Sequence, residues 1–305
     1  MTIFKQKLNT MPKNPNLSIL ASFLGLWATS FLEQKFQIIL GFIFIFSFGI
    51  LHGANDLVVF KKINVSNRPI SFLKLITSYI IVVLISAFLF VIIPWLALLL
   101  FILVSGYHFG EQHWQELEEN TIKWIKPLYY FNYGIFILLL LFVFHIEEVE
   151  QIIFSITNIN ITFINFLFLL EIFGFTLSLF FIYYYYKSIQ FQKKIIEELL
   201  YLIVFTILFK VGSLIWGFAL YFILWHSIPS LNNQIRFLYG NYSFDNFKLY
   251  FKSAYIYWLI SLLGIVVLYL VFRDVKIFDA LFFSFLAAIT FPHAWVILKM
   301  FKNKA

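Results

Sequence analysis

Four histidines lie within apolar stretches of this chain: His52, His108, His226 and His293. A buried imidazole costs free energy in hydrocarbon unless it is hydrogen-bonded or bound to a metal. Each of the four lies about 13–15 residues, or roughly 20 Å, along its predicted helix, so their depths are similar. Four neutral imidazoles that face a common point form a site for a divalent transition metal such as iron.

Two carboxylates accompany these histidines. Asp56 follows His52 by one helical turn in the segment His52-Gly-Ala-Asn-Asp56, and Glu111 follows His108 by three residues. Side chains at these spacings share one face of a helix. We therefore predict that Asp56 orients a ligand imidazole or binds the metal itself. Glu111 is predicted to support the site or to handle protons, and both residues are candidate catalytic groups.

The remaining histidines are predicted to lie elsewhere. His113 follows His108 by five residues, which rotates it by roughly 140° around the helix and brings it nearer to water. His145 stands beside Glu147 and Glu148 at the end of an apolar stretch. We expect His113 to be interfacial and His145 to be a surface residue.

Composition indicates a membrane protein. Of 305 residues, 62% are hydrophobic and 12% are charged, whereas soluble domains average about 25% charged residues. A membrane-spanning helix needs ~20 apolar residues, so we predict an all-α, polytopic transmembrane bundle of about 8–10 spans. The net charge of +7 is assigned to loop lysines and arginines, with no nucleic-acid partner. The absence of cysteine excludes disulfides and thiolate metal sites.

Prolines, glycines and charges divide the apolar sequence into spans. Pro94 separates two of them, and Lys210-Val-Gly-Ser213 separates two more. The predicted spans cover about 17–32, 37–60, 70–93, 95–114, 128–146, 160–186, 198–209, 213–233, 252–272 and 280–299. Polar residues 1–16 are predicted to be a cytoplasmic tail, and 17–305 to be a single transmembrane catalytic domain.

The distribution of positive charge supports the break at Lys210. With ten spans, most lysines and arginines fall on the side of the N-terminus, which places the N-terminus in the cytoplasm and the protein in the cell (inner) membrane. The four spans that carry the histidines then run in the same direction. Without the break, His226 and His293 would lie toward the opposite leaflet from His52 and His108.

Several catalytic motifs are missing from the sequence. It has no His-Glu-x-x-His motif of zinc proteases, no clustered histidine boxes of membrane desaturases and no glycine-rich phosphate loop. Zinc prefers closed sites with thiolates, or three ligands plus water. Four imidazoles around Fe(II) leave open positions for dioxygen, so iron is the predicted metal.

The histidine segments resemble the signature blocks of the Brp/Blh family, which are membrane-embedded β-carotene 15,15′-dioxygenases of microbes that make retinal. The resemblance extends from about residue 37 to the end of the chain and follows the order of the blocks. The blocks are His52-Gly-Ala-Asn-Asp56, Tyr107-His108-Phe-Gly-Glu111-Gln, Tyr221-Phe-x-x-x-His226-Ser and Pro292-His293.

The resemblance implies binding of Fe(II) through these histidines and cleavage of the central double bond of β-carotene by O2 into two retinal molecules. It also implies a functional link to a microbial rhodopsin. One position departs from the family pattern, where a second histidine often follows the His-Ser block by one turn and this chain has Ser230. If that histidine is essential in relatives, His293 completes the site here or the activity is altered.

β-Carotene is an apolar rod of ~30 Å, close to the hydrocarbon thickness of a bilayer. An enzyme that cuts it at the centre needs a slot with aromatic walls. The candidate walls are the aromatic residues near the histidines, namely Tyr107, Tyr221, Trp225 and Trp295, for which ordinary helix packing is the alternative role.

Two other hypotheses remain open. The chain is alternatively a membrane protein that binds or transports retinal or a carotenoid without chemistry of its own. Lys210 is a conceivable Schiff-base lysine, although its place at a predicted turn favours a lysine that reaches toward the membrane surface. In the other alternative the chain is an enzyme that cleaves a different polyene or lipid.

Overall fold

The protein is helical throughout the part of the chain that the structure describes. A computed structural model describes residues 15–65, 72–117, 122, 124–271 and 275–302. The predicted tail 1–16 lies outside these residues except for its last two positions. Within the described ranges there is no β-strand, so the predicted all-α fold is confirmed.

The helices follow one another with short connections. In chain order they are α1 (Pro15–Thr29), α2 (Gln34–Phe44), α3 (Asp56–Val65), α4 (Phe72–Ile92), α5 (Pro94–Trp114), α6 (Ile125–Val143), α7 (Ile146–Thr157), α8 (Phe166–Lys187), α9 (Ile189–Val211), α10 (Leu214–Tyr221), α11 (Ile228–Tyr239), α12 (Phe244–Val271) and α13 (Val275–Lys302). Two π-helical turns, Ile45–Gly49 and Phe222–Ser227, continue α2 and join α10 to α11.

The helices define a multi-pass membrane protein. Six helical stretches among the described residues are long and apolar enough to cross a bilayer. Three further apolar helices are shorter, namely Leu17–Thr29, Gln34–Gly49 and Ile76–Ile92. α9 is also long, but its first half carries several charged residues. The predicted bundle is therefore confirmed, with spans of unequal length.

Both predicted breaks between spans are present. α4 ends at Ile92 and α5 begins at Pro94, a first-turn position where the missing N–H of proline costs no helical hydrogen bond. α9 ends at Val211, and Ser213 caps α10 by accepting a hydrogen bond from the backbone N–H of Trp216. The backbone N–H of Ser213 in turn donates to Gln37 at 2.9 Å.

Two predicted boundaries are wrong, and one helix lies where no span is predicted. The span 37–60 is not one helix, because residues 52–55 form a turn between the first π-helical turn and α3. The stretch between the predicted spans 160–186 and 198–209 is not a loop, because α8 continues to Lys187 and α9 begins at Ile189, where Ser188 caps it by accepting a hydrogen bond from Phe191 N–H. The additional helix is α7. It is an amphipathic helix with Glu147 and Glu148 in its first turn, where acidic side chains favour a helix start.

Glycines bring α5 and α6 into close contact. A Cβ atom on Gly134 would overlap the carbonyl of Gly106, and one on Gly110 would overlap the carbonyl of Tyr130. Small residues four apart allow such close crossings of helices in membranes. Gly106 and Gly110 flank His108, so this contact fixes the part of α5 that carries the histidine.

Candidate metal centre

Each of the four histidines is held by a different local structure. His108 lies in regular α-helix on α5, and His293 follows Pro292 inside α13. His226 lies within the π-helical turn Phe222–Ser227, and His52 is the first residue of the turn 52–55. π-Helical turns are rare and occur often at functional sites. All four side chains are buried, with at most 5% of the residue exposed.

Each of the four imidazole rings has two of the others as close neighbours. The ring centre of His52 lies 5.2 Å from that of His226 and 4.7 Å from that of His293. The ring centre of His108 lies 4.8 Å from that of His226 and 5.1 Å from that of His293. Four separate segments of the chain therefore deliver their rings to one level of the bundle.

These distances suit imidazoles that share one metal ion. A ring nitrogen bonded at ~2.1 Å places the ring centre ~3.2 Å from the metal, so neighbouring rings lie ~4.5–5.2 Å apart for angles of ~90–110°. One ring nitrogen from each of His52, His226 and His293 lies within 4.8 Å of the other two. The fourth ring, that of His108, lies next to the rings of His226 and His293.

The hydrogen bonding of the rings leaves nitrogens available to a metal. Among the described residues, neither ring nitrogen of His108 has a hydrogen-bond partner, and the same holds for Nδ1 of His226 and Nε2 of His293. Buried polar atoms are nearly always satisfied in native proteins. Neutral nitrogen donors at these spacings fit a divalent transition metal.

Asp56 orients His293 rather than His52. Nδ1 of His293 donates to Oδ1 of Asp56 at 2.8 Å, and the Tyr79 hydroxyl donates to Oδ2 at 3.0 Å. The His293 and Asp56 side chains are 4% and 2% exposed. A carboxylate on one nitrogen fixes the tautomer and turns the other nitrogen toward a metal. The expected pairing along one helix face fails because residues 52–55 leave the helix.

A buried polar cluster holds the turn that carries His52. Nε2 of Gln234 donates to the carbonyl of His52 at 2.7 Å, and the Tyr250 hydroxyl donates to Oε1 of Gln234 at 2.9 Å. Nδ2 of Asn55 donates to the carbonyl of Tyr250 at 2.9 Å, and Oδ1 of Asn55 accepts from Ser253 at 2.9 Å. We call these four residues, Asn55, Gln234, Tyr250 and Ser253, the turn clamp.

Ser230 belongs to the surroundings of the turn clamp. The residue is fully buried, and its Oγ accepts a hydrogen bond from Gln234 at 3.3 Å. Ser230 occupies the position where relatives are expected to carry a second histidine, and here it supports the side chain of Gln234. His293 brings the fourth imidazole instead.

Glu111 is buried but lies apart from the four rings. It is hydrogen-bonded to Tyr107, and its Oε2 has no partner among the described side chains. Glu111 does not line the cavity between the imidazoles. The structure thus gives Asp56 a direct contact with a histidine and gives Glu111 none that the hydrogen bonds show.

The four aromatic residues predicted as slot walls do not line this cavity in the described structure. Tyr221 packs against Phe109 and Phe205, and Trp225 donates its Nε1 hydrogen to Ser22 at 3.0 Å. Tyr107 bonds to Glu111. Trp295 is 47% exposed, because two residues turn a helix by ~200° away from the face of His293.

Phenylalanines take the place expected for those aromatic residues. Phe222 stacks on His226 with ring centres 5.4 Å apart, and Phe109 lies 4.7 Å from His226. Both line the cavity between the histidines. The sequence contains forty-two phenylalanines, so composition offered no signal that selects these two.

His113, His145 and Lys210 serve other parts of the bundle. Nε2 of His113 contacts Glu198 on α9 at 2.7 Å, and both side chains are under 10% exposed, so His113 is enclosed by protein rather than interfacial. Nε2 of His145 donates to the carbonyl of Phe209 at 2.8 Å with a side chain 9% exposed. Its predicted surface position is wrong. Lys210 is exposed at the end of α9.

Fold and site together define a helical membrane protein with a buried cluster of imidazoles. The family model described as beta-carotene 15,15'-dioxygenase matches residues 43–301. The chain belongs to this family. Neither the curated proteins nor the solved structures include a significant match to the chain.

Proposed function

We propose that the chain is a membrane-embedded, Fe(II)-dependent β-carotene 15,15′-dioxygenase that cleaves the central double bond of β-carotene with O2 and releases two retinal molecules. Membership of the family supports the reaction and the substrate. The observation that carries the iron is the set of four buried imidazoles with neighbouring ring centres 4.7–5.2 Å apart. We assign His52, His108, His226 and His293 as the metal ligands.

The protein's own residues prepare the site. The chemistry that bound iron supplies is the activation of dioxygen. Asp56 and Tyr79 hold His293 in one orientation, and the turn clamp holds the backbone of His52. Phe109 and Phe222 keep the cavity apolar, which favours a hydrocarbon substrate over water.

The two carboxylates receive different roles. Asp56 is a positioning residue, since it contacts His293 and lies within the hydrogen-bonded layer behind the ring. Glu111 is a candidate for proton handling because it is a buried carboxyl group one helical turn after His108. Its distance from the cavity makes this an indirect contribution to the reaction.

The location and organisation follow from the helices and charges. We propose a single transmembrane catalytic domain over 17–305 in the cell (inner) membrane, with a cytoplasmic N-terminus, as the loop charges favour. β-Carotene and O2 both dissolve in lipid, so they reach a buried site from the bilayer. The retinal that leaves into the same bilayer is the chromophore that a microbial rhodopsin of the cell requires.

Expression in β-carotene-accumulating bacterial cells tests this function. The full chain is expected to bleach the cells and to form retinal, and the purified protein is expected to contain about one iron per chain. The His52→Ala and His226→Ala variants are expected to keep the cells coloured and to lose iron, because each removes one metal ligand.

The matched control is His145→Ala, which removes a histidine that bonds to a backbone carbonyl far along the chain from the four rings. It is expected to retain iron and activity. Full bleaching by His52→Ala or His226→Ala would remove the metal assignment. Bound retinal or carotenoid without cleavage or iron would favour the binding or transport protein, and cleavage of a different polyene would favour the other enzyme.

A further inference from the structure

A second cavity adjoins the histidine cavity. It lies between α5, α6, α7, α10 and α13, and apolar spaces between helices are common places for small-molecule sites. The two cavities share five wall residues, Phe101, Ser105, Phe109, Phe218 and Leu286. Every residue that lines the second cavity is buried or half-buried, and Ser105 has the only polar side chain among them. We call this cavity the apolar chamber.

The apolar chamber has a similar depth along the three segments that lead to His108, His226 and His293. Its wall extends on α5 to Leu98, ten residues before His108, and on α13 to Phe283, ten residues before His293. At ~1.5 Å per residue, both separations are ~15 Å. On α10 the wall extends to Leu214, twelve residues before His226, or ~18 Å.

The opposite side of the histidines is polar. Asn55, Ser230 and Gln234 follow histidines in sequence, are fully buried and are hydrogen-bonded. A hydrocarbon chain that entered this layer would break hydrogen bonds that buried polar groups need. The apolar chamber therefore extends from the histidines in one direction only, toward the N-terminal ends of α5, α10 and α13.

We propose that the apolar chamber binds one arm of the carotenoid, with its terminal ring against the far wall, and that its depth selects the double bond that lies at the histidines. This inference rests on the proposed function. Half of a rod of ~30 Å is ~15 Å, which matches the ~15 Å that ten residues span along α5 and along α13. The other arm has to leave the histidine cavity by a path that avoids both this chamber and the polar layer.

The far wall is suited to act as a stop. α7 contributes Val149, Ile152 and Ile153 to the wall of the chamber. Phe101 and Phe218 lie where the chamber meets the histidine cavity, since they line both. A conjugated polyene is stiff, so its length cannot shrink by folding within the chamber. Contact of the ring with the far wall then fixes how many carbons separate the ring from the histidines.

A substitution at the far wall tests the role of depth. Leu98→Trp fills the end of the apolar chamber, and the matched control is Leu99→Trp, at the next position, which is 45% exposed on the outside of α5. The Leu98→Trp variant is expected to cleave β-carotene nearer to the terminal ring that lies in the chamber. One product is then an aldehyde shorter than retinal, and the other is correspondingly longer. One double bond and O2 are consumed and two carbonyls form, so the two carbon counts still add up to that of β-carotene.

A second pair of variants covers a failure of Leu98→Trp to fold. Ile152→Trp adds bulk from α7, and Phe154→Trp, at a position 50% exposed on the same helix, is its control. Mass spectrometry of the aldehydes is the readout. Retinal as the sole product of both Leu98→Trp and Ile152→Trp, at rates within twofold of their controls, would overturn the proposal.

Binding without cleavage separates this inference from the proposed function. Metal-free protein from carotene-accumulating cells is expected to retain β-carotene, and the Leu98→Trp or Ile152→Trp variant is expected to retain at least tenfold less than its control. If the unmodified protein does not cleave but its binding of β-carotene depends on these residues, the chamber stands and the proposed function fails. Equal retention by all variants counts against the chamber.

Discussion

At the scale of the residue, histidine has three different roles in this protein. Four histidines face one cavity, His113 pairs with Glu198, and His145 bonds to a backbone carbonyl. What distinguishes the first group is that ring nitrogens within it have no hydrogen-bond partner among the described residues. Spacing alone separated the four from the other two, but it did not predict the contacts of His113 and His145.

Asp56→Asn tests the orientation of His293. The amide is neutral and accepts more weakly from the His293 ring, so we expect the affinity for Fe(II) to fall about 10–100-fold, as for comparable outer contacts of metal ligands. Iron retained against a competing chelator measures this.

Glu111→Gln is the control for Asp56→Asn, because Glu111 is also a buried carboxylate near a histidine but bonds to Tyr107. It is expected to bind iron as the unmodified protein does. Equal iron affinity in Asp56→Asn and the unmodified protein would contradict the orienting role.

At the scale of the element, the site depends on departures from regular helix. A continuous α-helix over 37–60 would have placed Asp56 beside His52, but the turn 52–55 sends it to His293 on α13. Proline and glycine signalled the breaks at Pro94 and Gly212. Gly53 and Asn55 in the turn 52–55 are residue types common in turns, but an isolated glycine is also tolerated within a helix. The partners that hold the turn, Gln234 and Tyr250, lie about 180–200 residues later.

The turn clamp is expected to control iron affinity through the backbone of His52. Gln234→Leu removes the donor to that carbonyl, and Tyr250→Phe removes the donor to Gln234. Each leaves a buried acceptor with one partner fewer, at a cost of ~1–3 kcal/mol. We expect both variants to lose iron at lower chelator concentrations and to show a changed ligand-field spectrum when loaded with Co(II).

Tyr255→Phe, on the same helix but 44% exposed, is the control for Tyr250→Phe. It should leave both the iron affinity and the Co(II) spectrum unchanged. A purely structural role of the turn clamp would lower the thermal stability without moving the spectrum, and this result would refute the positioning role.

A single methyl group added between α5 and α6 is expected to disrupt their close contact. Gly134→Ala forces the two helices apart, since its Cβ would overlap the carbonyl of Gly106. We expect a lower melting temperature and reduced iron content, because α5 carries His108. Gly264→Ala, where no atom lies within 4 Å of the added Cβ, should melt as the unmodified protein does.

At the scale of the whole molecule, composition and charge predicted the fold class, and the order of the histidine blocks predicted the family. The break at Lys210–Ser213, chosen from charge and depth, is present as the boundary between α9 and α10. The apolar chamber could not be predicted, because its walls come from five helices spread over residues 98–286 and its apolar side chains do not differ in type from those that face lipid. α7 did carry a signal, since Glu147 and Glu148 begin an amphipathic segment, a pattern typical of a helix start.

The orientation of the chain can be measured with single cysteines, since the sequence has none. Asn160→Cys lies after α7 and Asn241→Cys lies between α11 and α12, and both positions are exposed. With a cytoplasmic N-terminus, a membrane-impermeant maleimide should label Asn160→Cys in intact cells and Asn241→Cys only after permeabilisation. The reverse pattern would invert the proposed topology.

Because of the π-helical turn Phe222–Ser227, the site depends on how many residues this segment contains as well as on which residues they are. Such a turn contains one residue more than regular α-helix of the same rise. Deleting one residue there would restore regular helical hydrogen bonding, but would change the angular positions of side chains within the turn by up to ~100°. The shortened helix should then be the more regular one, with His226 directed away from its three companions. A change in the number of residues within Phe222–Ser227 is therefore expected to disable the site even where every ligand is kept.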